Sequence, residues 1–594
     1  MVHGCTTAFL FISTVWLTAS KPEASVRDRK TLPGPRRIKP GPDCHVRQLL
    51  TPISTMLPVG PLFSQPLSGG GTWMTWQHRL YLKALGLAVA FASVASGAPV
   101  PGLSQQIDAV IQAPQYRQAR WGVLVVDAES GRSLFERDAD RLFVPASTTK
   151  LFSCAAALVA LGPDYRFQTP VYRRGRLKDG HLTGDLILVA QGDLTLGGRT
   201  DSHGQMLFKD NDHIYAGFRT STELTATDPL AGLNDLAQQV AATGIRQVIG
   251  DVLIDDRLFV HATGSGSGPA QLTPIMINDN VIDVIVKPGA SAGAAAQVRV
   301  RPETNYIQVD AQVGTVAAGR TARLEVRAPD PQHLVVRGAV PVASRPRTGI
   351  HPISDPTGFA RALFIEALRR HGVAVSASMF DAPQAPLPDQ DEYKRLTRVA
   401  TFTSPPFSEA IKVTLKVSHN LYASTLPLLI AVRRGERTLA AGLRWQRQFL
   451  SELGVDVSTI SFGGGAGGSN ADSVTPRATV QLLRAFARRP EYHYLEVGLP
   501  ILGIDGTLAE ASTPNSPARG KVRAKTGTLT WHDVMNNRSL LRSKSMAGVM
   551  TTTSGRRLIF AMFVNDVPLP PQVPTSREGK TLGRLCEIIY EQVK

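Results

Sequence analysis

The patterning of this 594-residue chain predicts an α+β fold, an α/β sandwich interrupted by a large β-rich insertion. Three observations lead there. Two short strand patterns, Trp121-Gly-Val-Leu-Val-Val-Asp127 and Ser133-Leu-Phe-Glu136, are joined by the turn-rich Ala-Glu-Ser-Gly-Arg as a hairpin, and a further strand pattern, Arg557-Leu-Ile-Phe-Ala-Met-Phe-Val564, stands near the end. Helical runs flank them. Residues 145–161 are apolar and Ala-rich with Gly162-Pro163 as a stop, and Leu582, Leu585, Cys586, Ile589 and Val593 have the spacing of a helix that covers one sheet face. Between about 168 and 400 the chain changes to alternating strands, such as Val281-Ile-Asp-Val-Ile-Val286, Gln297-Val-Arg-Val-Arg301 and Leu334-Val-Val-Arg337, between Gly, Pro and Asp turns.

The insertion is followed by a capped helix, with Asp355-Pro356 opening it, Gly372 closing it and Phe359, Leu363 and Ala367 on one face, expected to pack on the β-rich unit. Helical patterns return after 403. The expected division is a discontinuous body, 99–168 and 403–594, around an inserted unit at 169–402.

The front of the chain reads as an address. Residues 74–98 have Met74, a short basic region with Arg79 and Lys83, and an uncharged run at 84–96 too short for a bilayer, which needs about 20 apolar residues. This is the pattern of a signal peptide, with cleavage expected near Ala95 and no spanning helix in the mature form. Residues 1–73 are then a non-native or disordered extension and translation is expected to start at Met74; an apolar stretch at 6–19 is the alternative signal or anchor, although no Lys or Arg precedes it.

A hydrophobic fraction of 43% with 19% charged residues excludes disorder throughout. The formal charge is +17, and +10 remains after residue 98. Such a field suits anionic surroundings, whether nucleic acid, acidic lipid or a wall polymer, and equally a solvated Arg-rich surface. Of the four cysteines, Cys154 and Cys586 fall in the body, where they either pair or are buried thiols; no Cys-x-x-Cys or His/Cys cluster calls for a metal, and no cofactor is expected.

Three short motifs carry chemistry. Ser147-x-x-Lys150 at a helix start puts a hydroxyl beside an amine, because residues three apart are neighbours on a helix. The lysine serves as a base only if burial or a neighbouring cation lowers its pKa. The plain alternative is an N-cap serine with a surface lysine. Ser418-His419-Asn420 offers a second hydroxyl and an amide to hold a peptide. Lys525-Thr526-Gly527-Thr528-Leu529 reads as an edge strand whose glycine admits a ligand backbone and whose lysine and threonines suit a carboxylate; its plain alternative is a basic turn.

All three in this order, at 147, 418 and 525, make the sequence resemble the penicillin-recognising serine enzymes, and among them the type-4 penicillin-binding D-alanyl-D-alanine carboxypeptidases. That family has a penicillin-binding, β-lactamase-like transpeptidase domain with a large insertion between its first two motifs. Gly184-Asp-Leu-Ile-Leu-Val-Ala-Gln-Gly-Asp-Leu-Thr-Leu196, Asn278-Asp-Asn-Val-Ile-Asp-Val, Val474-Thr-Pro-Arg-Ala and Leu499-Pro-Ile-Leu-Gly-Ile-Asp-Gly-Thr-Leu508 look like it too, so that the resemblance covers about 105–594. It implies an exported, wall-associated carboxypeptidase, with endopeptidase activity as a second capacity, acting on peptidoglycan stem peptides that end in D-Ala-D-Ala and acylated by β-lactams, with no nucleic-acid partner. It further implies Ser147 as nucleophile, Lys150 as base, Ser418 and Asn420 relaying protons and aligning the peptide, Lys525 acting electrostatically, and Thr526, Gly527 and Thr528 binding substrate. The oxyanion hole is expected at the N–H groups of Ser147 and Thr528.

Three departures stand out. His419 replaces a usual Asp or Asn, with a solvated or packing role expected. Gly463-Gly-Gly-Ala-Gly-Gly-Ser469 replaces a less glycine-rich loop, which is expected to be looser. Residues 530–539 lengthen the connection to the next strand. A β-lactamase or esterase of the same superfamily and a non-catalytic wall-binding module are the alternative functions.

Overall fold

Both ends of the chain build one sheet. In this computed structural model, which describes residues 102–218 and 222–594, helix α1 (Leu103–Ile111) precedes the hairpin of β1 (Arg120–Asp127) and β2 (Ser133–Arg137), and a 3-10 turn, Ala146–Thr148, leads into α2 (Thr149–Leu161). After the insertion come α3 (Phe407–Lys416), α4 (Asn420–Arg433), α5 (Leu439–Glu452), α6 (Pro476–Phe486) and α7 (Tyr492–Gly498). Then follow β3 (Val522–Asp533), β4 (Arg538–Thr551), β5 (Arg557–Leu569) and α8 (Ser576–Gln592). The strand order is β3-β4-β5-β1-β2, antiparallel throughout, which leaves β3 at the edge, where residues 500–502 bond to its start at Val522–Ala524 and the stretch from Lys525 onward is the open part. The expectations for residues 1–98 lie outside the described residues.

The sheet is covered on both faces, and that is why its strands read as apolar runs. Successive side chains point to opposite faces: Val123, Val125, Phe560 and Met562 join a core with α1 and the Leu582, Leu585, Cys586 and Ile589 side of α8, whereas Leu124, Val126, Ala561 and Phe563 join a second core with α2, α4 and α6. Helix α2 is buried along nearly its whole length and is rich in alanine, which lets neighbours approach closely; Gly162, at φ +92°, ends it. Cys154 and Cys586 are both free and buried.

The inserted segment has its own core, centred on the helix Pro356–Arg370, whose Gly358 N–H donates to Asp355 at 3.0 Å and whose Phe359, Leu363 and Ala367 are fully buried. Its strands form a six-stranded sheet, two three-stranded ones and a two-stranded one. The first strand, Gln168–Lys178, pairs antiparallel with the last, Thr397–Thr403, so that the chain leaves and re-enters the body at adjacent points. Among the described residues no helix is long and apolar enough to cross a membrane.

Candidate active site

The turn that carries Ser147 is clamped from both sides. Val144 O accepts from Ser543 Oγ at 2.6 Å and Pro145 O from Ser545 Oγ at 2.7 Å, which fastens the approach to β4. Ala146 sits at φ +47°, a conformation L residues adopt at a cost. Two glycines make room for it: a Cβ on Gly527 would lie 2.6 Å from Pro145 O, and one on Gly467, itself at φ +87°, would lie 1.9 Å from Ala146 O. Edge strand β3 thus runs directly beside the Ser147 turn. Ser147 caps nothing, for α2 begins without a side-chain cap.

Lys150 is fully buried, and its Nζ donates to Ser147 Oγ at 2.7 Å, Asn420 Oδ1 at 2.7 Å and Ala466 O at 2.9 Å. Burial pushes its pKa down to about 7, against the pull of Cys154 and Asp472. The three acceptors differ in one respect. An amide oxygen and a backbone carbonyl only accept, whereas a serine hydroxyl also donates. Once Lys150 loses a proton, its two remaining hydrogens satisfy Asn420 and Ala466, and its lone pair faces Ser147.

The second and third motifs meet in the same place. Lys525, also fully buried, donates to Ser418 Oγ at 2.9 Å and to Thr526 O at 2.8 Å, which leaves an ammonium one further hydrogen to give. Burial and then the charge of Lys150 hold Lys525 well below lysine's usual range. Thr526 Oγ1 bonds Thr507 Oγ1 at 2.7 Å, and Thr528 Oγ1 accepts from Lys544 Nζ at 2.7 Å. The structure therefore brings Ser147, Lys150, Ser418, Asn420, Lys525, Thr526, Gly527 and Thr528 together.

Of the two roles expected of His419, the structure shows the packing one: it is fully buried at the N-cap of α4, stacked on Tyr422 with ring centroids 3.6 Å apart. Burial lowers its pKa, so it sits there uncharged, with Nε2 3.3 Å from Asp279 Oδ2. Asp279 comes from the insertion. It accepts from Arg199 and Tyr422 and, at 2.7 Å, from His213, whose other nitrogen is 2.7 Å from Asp283; Arg199 also bonds both oxygens of Asp212. Asp212, Asp279 and His419 have the donor atoms of a metal site within 4.8 Å of one another, but the guanidinium of Arg199 already bonds both carboxylates. The insertion grips this motif twice more, through Tyr215 Oη to Ser418 O and through Asn420 Nδ2 to Ser267 O at 3.0 Å.

Of the two remaining departures, one differs from expectation. The loop at 463–469 is tight: besides Gly467, a Cβ on Gly465 would lie 2.0 Å from Ala423 O, while Gly465 O accepts from Ser153 at 2.8 Å and Asp472 accepts from the N–H groups of Gly463 and Ser469. Gly465 and Gly467 are needed because the backbones of α4 and of the Ser147 turn stand against them. Residues 530–539 lengthen the connection by extending β3 and β4, paired as far as Asp533 and Arg538, with Trp531 64% and Met535 94% exposed. Sequence reasoning missed Asp279, Tyr215 and Lys544. Only the position of Lys544 in a strand neighbouring the third motif could have flagged it.

Comparison with known proteins bears on what this constellation does. The profile of the D-Ala-D-Ala carboxypeptidase 3 (S13) family matches residues 103–581. A D-alanyl-D-alanine carboxypeptidase from Actinomadura sp. (strain R39) is 31% identical over 479 residues, covering 76% of this chain and 80% of that protein. The carboxypeptidase DacB of Haemophilus influenzae is 23% identical, covering 75% and 85%. The crystal structure of penicillin binding protein 4 (dacB) from H. influenzae superposes with a TM-score of 0.61 at 21% identity, over 82% of this chain and 99% of that one, and has also been solved complexed with a β-lactam.

Proposed function

Because this chain belongs to the D-Ala-D-Ala carboxypeptidase 3 (S13) family, we propose that it removes the terminal D-alanine of peptidoglycan stem peptides through an acyl-enzyme on Ser147. The single observation that carries the residue assignment is the buried Lys150 amine, 2.7 Å from Ser147 Oγ and with its pKa brought down to about 7. A neutral amine so placed takes the hydroxyl proton as Oγ attacks the carbonyl of the penultimate D-alanine.

The negative charge that develops on the substrate's carbonyl oxygen falls to the N–H groups of Ser147 and Thr528, and losing one such donor typically costs about 100- to 1000-fold in rate. Collapse of the tetrahedral intermediate breaks the peptide bond, and the proton held by Lys150 passes through Ser418 to the leaving amine. Water then attacks the ester, Lys150 takes a proton from it and returns it to Ser147 Oγ as the acyl–oxygen bond breaks, and the shortened peptide departs. The extended substrate lies along open edge strand β3, with Asn420 aligning its backbone.

Lys525 works by charge. Alone in the buried site it sheds its proton easily, but the carboxylate of a terminal D-alanine, held also by Thr526 and Thr528, supplies the counter-ion that makes the ammonium stable. A β-lactam carries the same pair of groups, an acyl carbon and a nearby carboxylate, and is expected to acylate Ser147. An amine from a neighbouring stem as leaving group gives the endopeptidase reaction in the same site. The reading of residues 74–98 as a signal places this activity outside the cytoplasm, and residues 169–402 are the insertion that braces it.

The test is to label the protein with fluorescent penicillin and map the modified peptide. Label on the peptide containing Ser147 is expected. Label on another residue overturns the assignment, and rapid multiple turnover of penicillin in place of a stable adduct marks a β-lactamase.

A further inference from the structure

Lys544 is a cation for which the family reading has no task. It lies on β4 directly opposite Thr528 of β3, and its ammonium donates to the Thr528 hydroxyl at 2.7 Å. Opposed residues of paired strands share a face and alternate ones change face. Lys544, Thr528 and Thr526 are therefore on the face covered by α8, while Lys525 and Gly527 are on the face of the nucleophile turn. The carboxylate-binding strand thus has a lysine on each side.

The surroundings leave space for that lysine. A Cβ on Gly579 of α8 would approach Lys544 Cε to 3.3 Å and Nζ to 3.6 Å, so the stem runs over a glycine. The carboxylate that acts on it electrostatically is Glu578, whose Oε1 is taken by Arg577 and whose Oε2 is buried without a partner. The pair Arg577–Glu578 is nearly self-neutralising, which leaves the Lys544 charge directed at Thr528. Burial brings its pKa down to about 8, so that it is still charged at neutral pH. Its field is also felt at Lys525.

A threonine hydroxyl has one hydrogen to give and two lone pairs. With Lys544 donating into a lone pair, the Thr528 hydrogen must point elsewhere, and β3 is an open edge. We propose that Lys544 is a specificity-determining residue: from the far face of the edge strand it orients the Thr528 hydroxyl as a donor and adds positive charge where the terminal carboxylate of the peptide binds, so that peptides ending in a free carboxylate are selected over those whose C-terminus is neutral. The inference rests on the carboxypeptidase reading above and adds a residue to its substrate recognition.

The experiment compares a synthetic stem peptide ending in D-Ala-D-Ala with its C-terminal amide, for the full chain and for Lys544→Met and Lys544→Arg. The wild type is expected to prefer the free acid. Lys544→Met is expected to lower kcat/KM for the acid about 10- to 100-fold, the usual weight of a hydrogen bond to a charged group, mainly through KM, and to leave the amide unchanged. Lys544→Arg should restore most of the preference, which a merely structural lysine would not do. Equal losses on both peptides, or an undiminished preference in Lys544→Met, overturn this inference alone. A wild type that cleaves neither peptide overturns the carboxypeptidase reading, and this inference with it.

Discussion

Two buried polar clusters lie on either side of the Ser418–Asn420 segment, and they treat charge in opposite ways. On the cleft side, Lys150 and Lys525 are bonded only to hydroxyls, an amide oxygen and carbonyls, with no carboxylate within ion-pair reach. On the insertion side, Arg199 and His213 are matched by Asp212, Asp279 and Asp283 at 2.5 to 2.7 Å. The consequences for protonation diverge. Burial drives both lysines down, whereas for His213 the aspartates outweigh burial and raise it to about 10, and for Asp279 the cations outweigh burial and hold it well below the carboxylate range. Charges buried with partners stay fixed and make a brace; charges buried without them are poised to exchange protons.

The sharpest way to break the comparison is Ser147→Ala, which should abolish penicillin labelling and cut D-alanine release at least about 10⁴-fold with the fold intact; persisting acylation would sink it. Next, Lys150→Met should slow acylation about 10²- to 10⁴-fold. In the wild type the sign of the pH effect is set by the need for a neutral amine. Below about 7 the protonated fraction of Lys150 dominates and kcat/KM should fall about tenfold per unit, and above about 7 it should level off, as read from a pH profile.

Asp279→Ala tests the brace. It leaves Arg199 and His213 short of a counter-charge in a buried place, where breaking such a pair costs about 3–5 kcal/mol, to be read from urea unfolding. Its loss of activity should come with that loss of stability and leave the pH midpoint of residual acylation where it was. Cys154→Ala should do least: burial holds the thiol up at about 12, too high to be a nucleophile, so labelling should be unchanged and only about 1 kcal/mol of packing lost.

Much of this was legible before any coordinates. The hairpin of β1 and β2, strand β5 and the terminal helix announce themselves by local apolar patterns, and the three motifs by residue type and order. What was left open or misread shares one feature. The sequence left His419 between a solvated and a packing role, because its buried partner, Asp279, is 140 positions away. The glycines at 463–468 look loose because glycine is permissive by itself, yet the backbones of Ala146 and Ala423 press against that loop. Lys544 looks like one more basic residue in Arg-Ser-Lys, and only pairing of β3 with β4 sets it under Thr528.

Periodicity along the chain, which reports how each segment meets water and core, was enough to expect the β1–β2 hairpin, strand β5, helix α2 and the terminal helix, while strand β4 was not read from it. The sequence likewise named Ser147, Lys150, Ser418, Asn420 and Lys525 as candidates, and the fold brings them together. Burial depth and charge partnership were not. These depend on atoms brought together from segments hundreds of residues apart, and only the folded chain decided that two lysines would lose their counter-ions while an arginine and a histidine kept theirs.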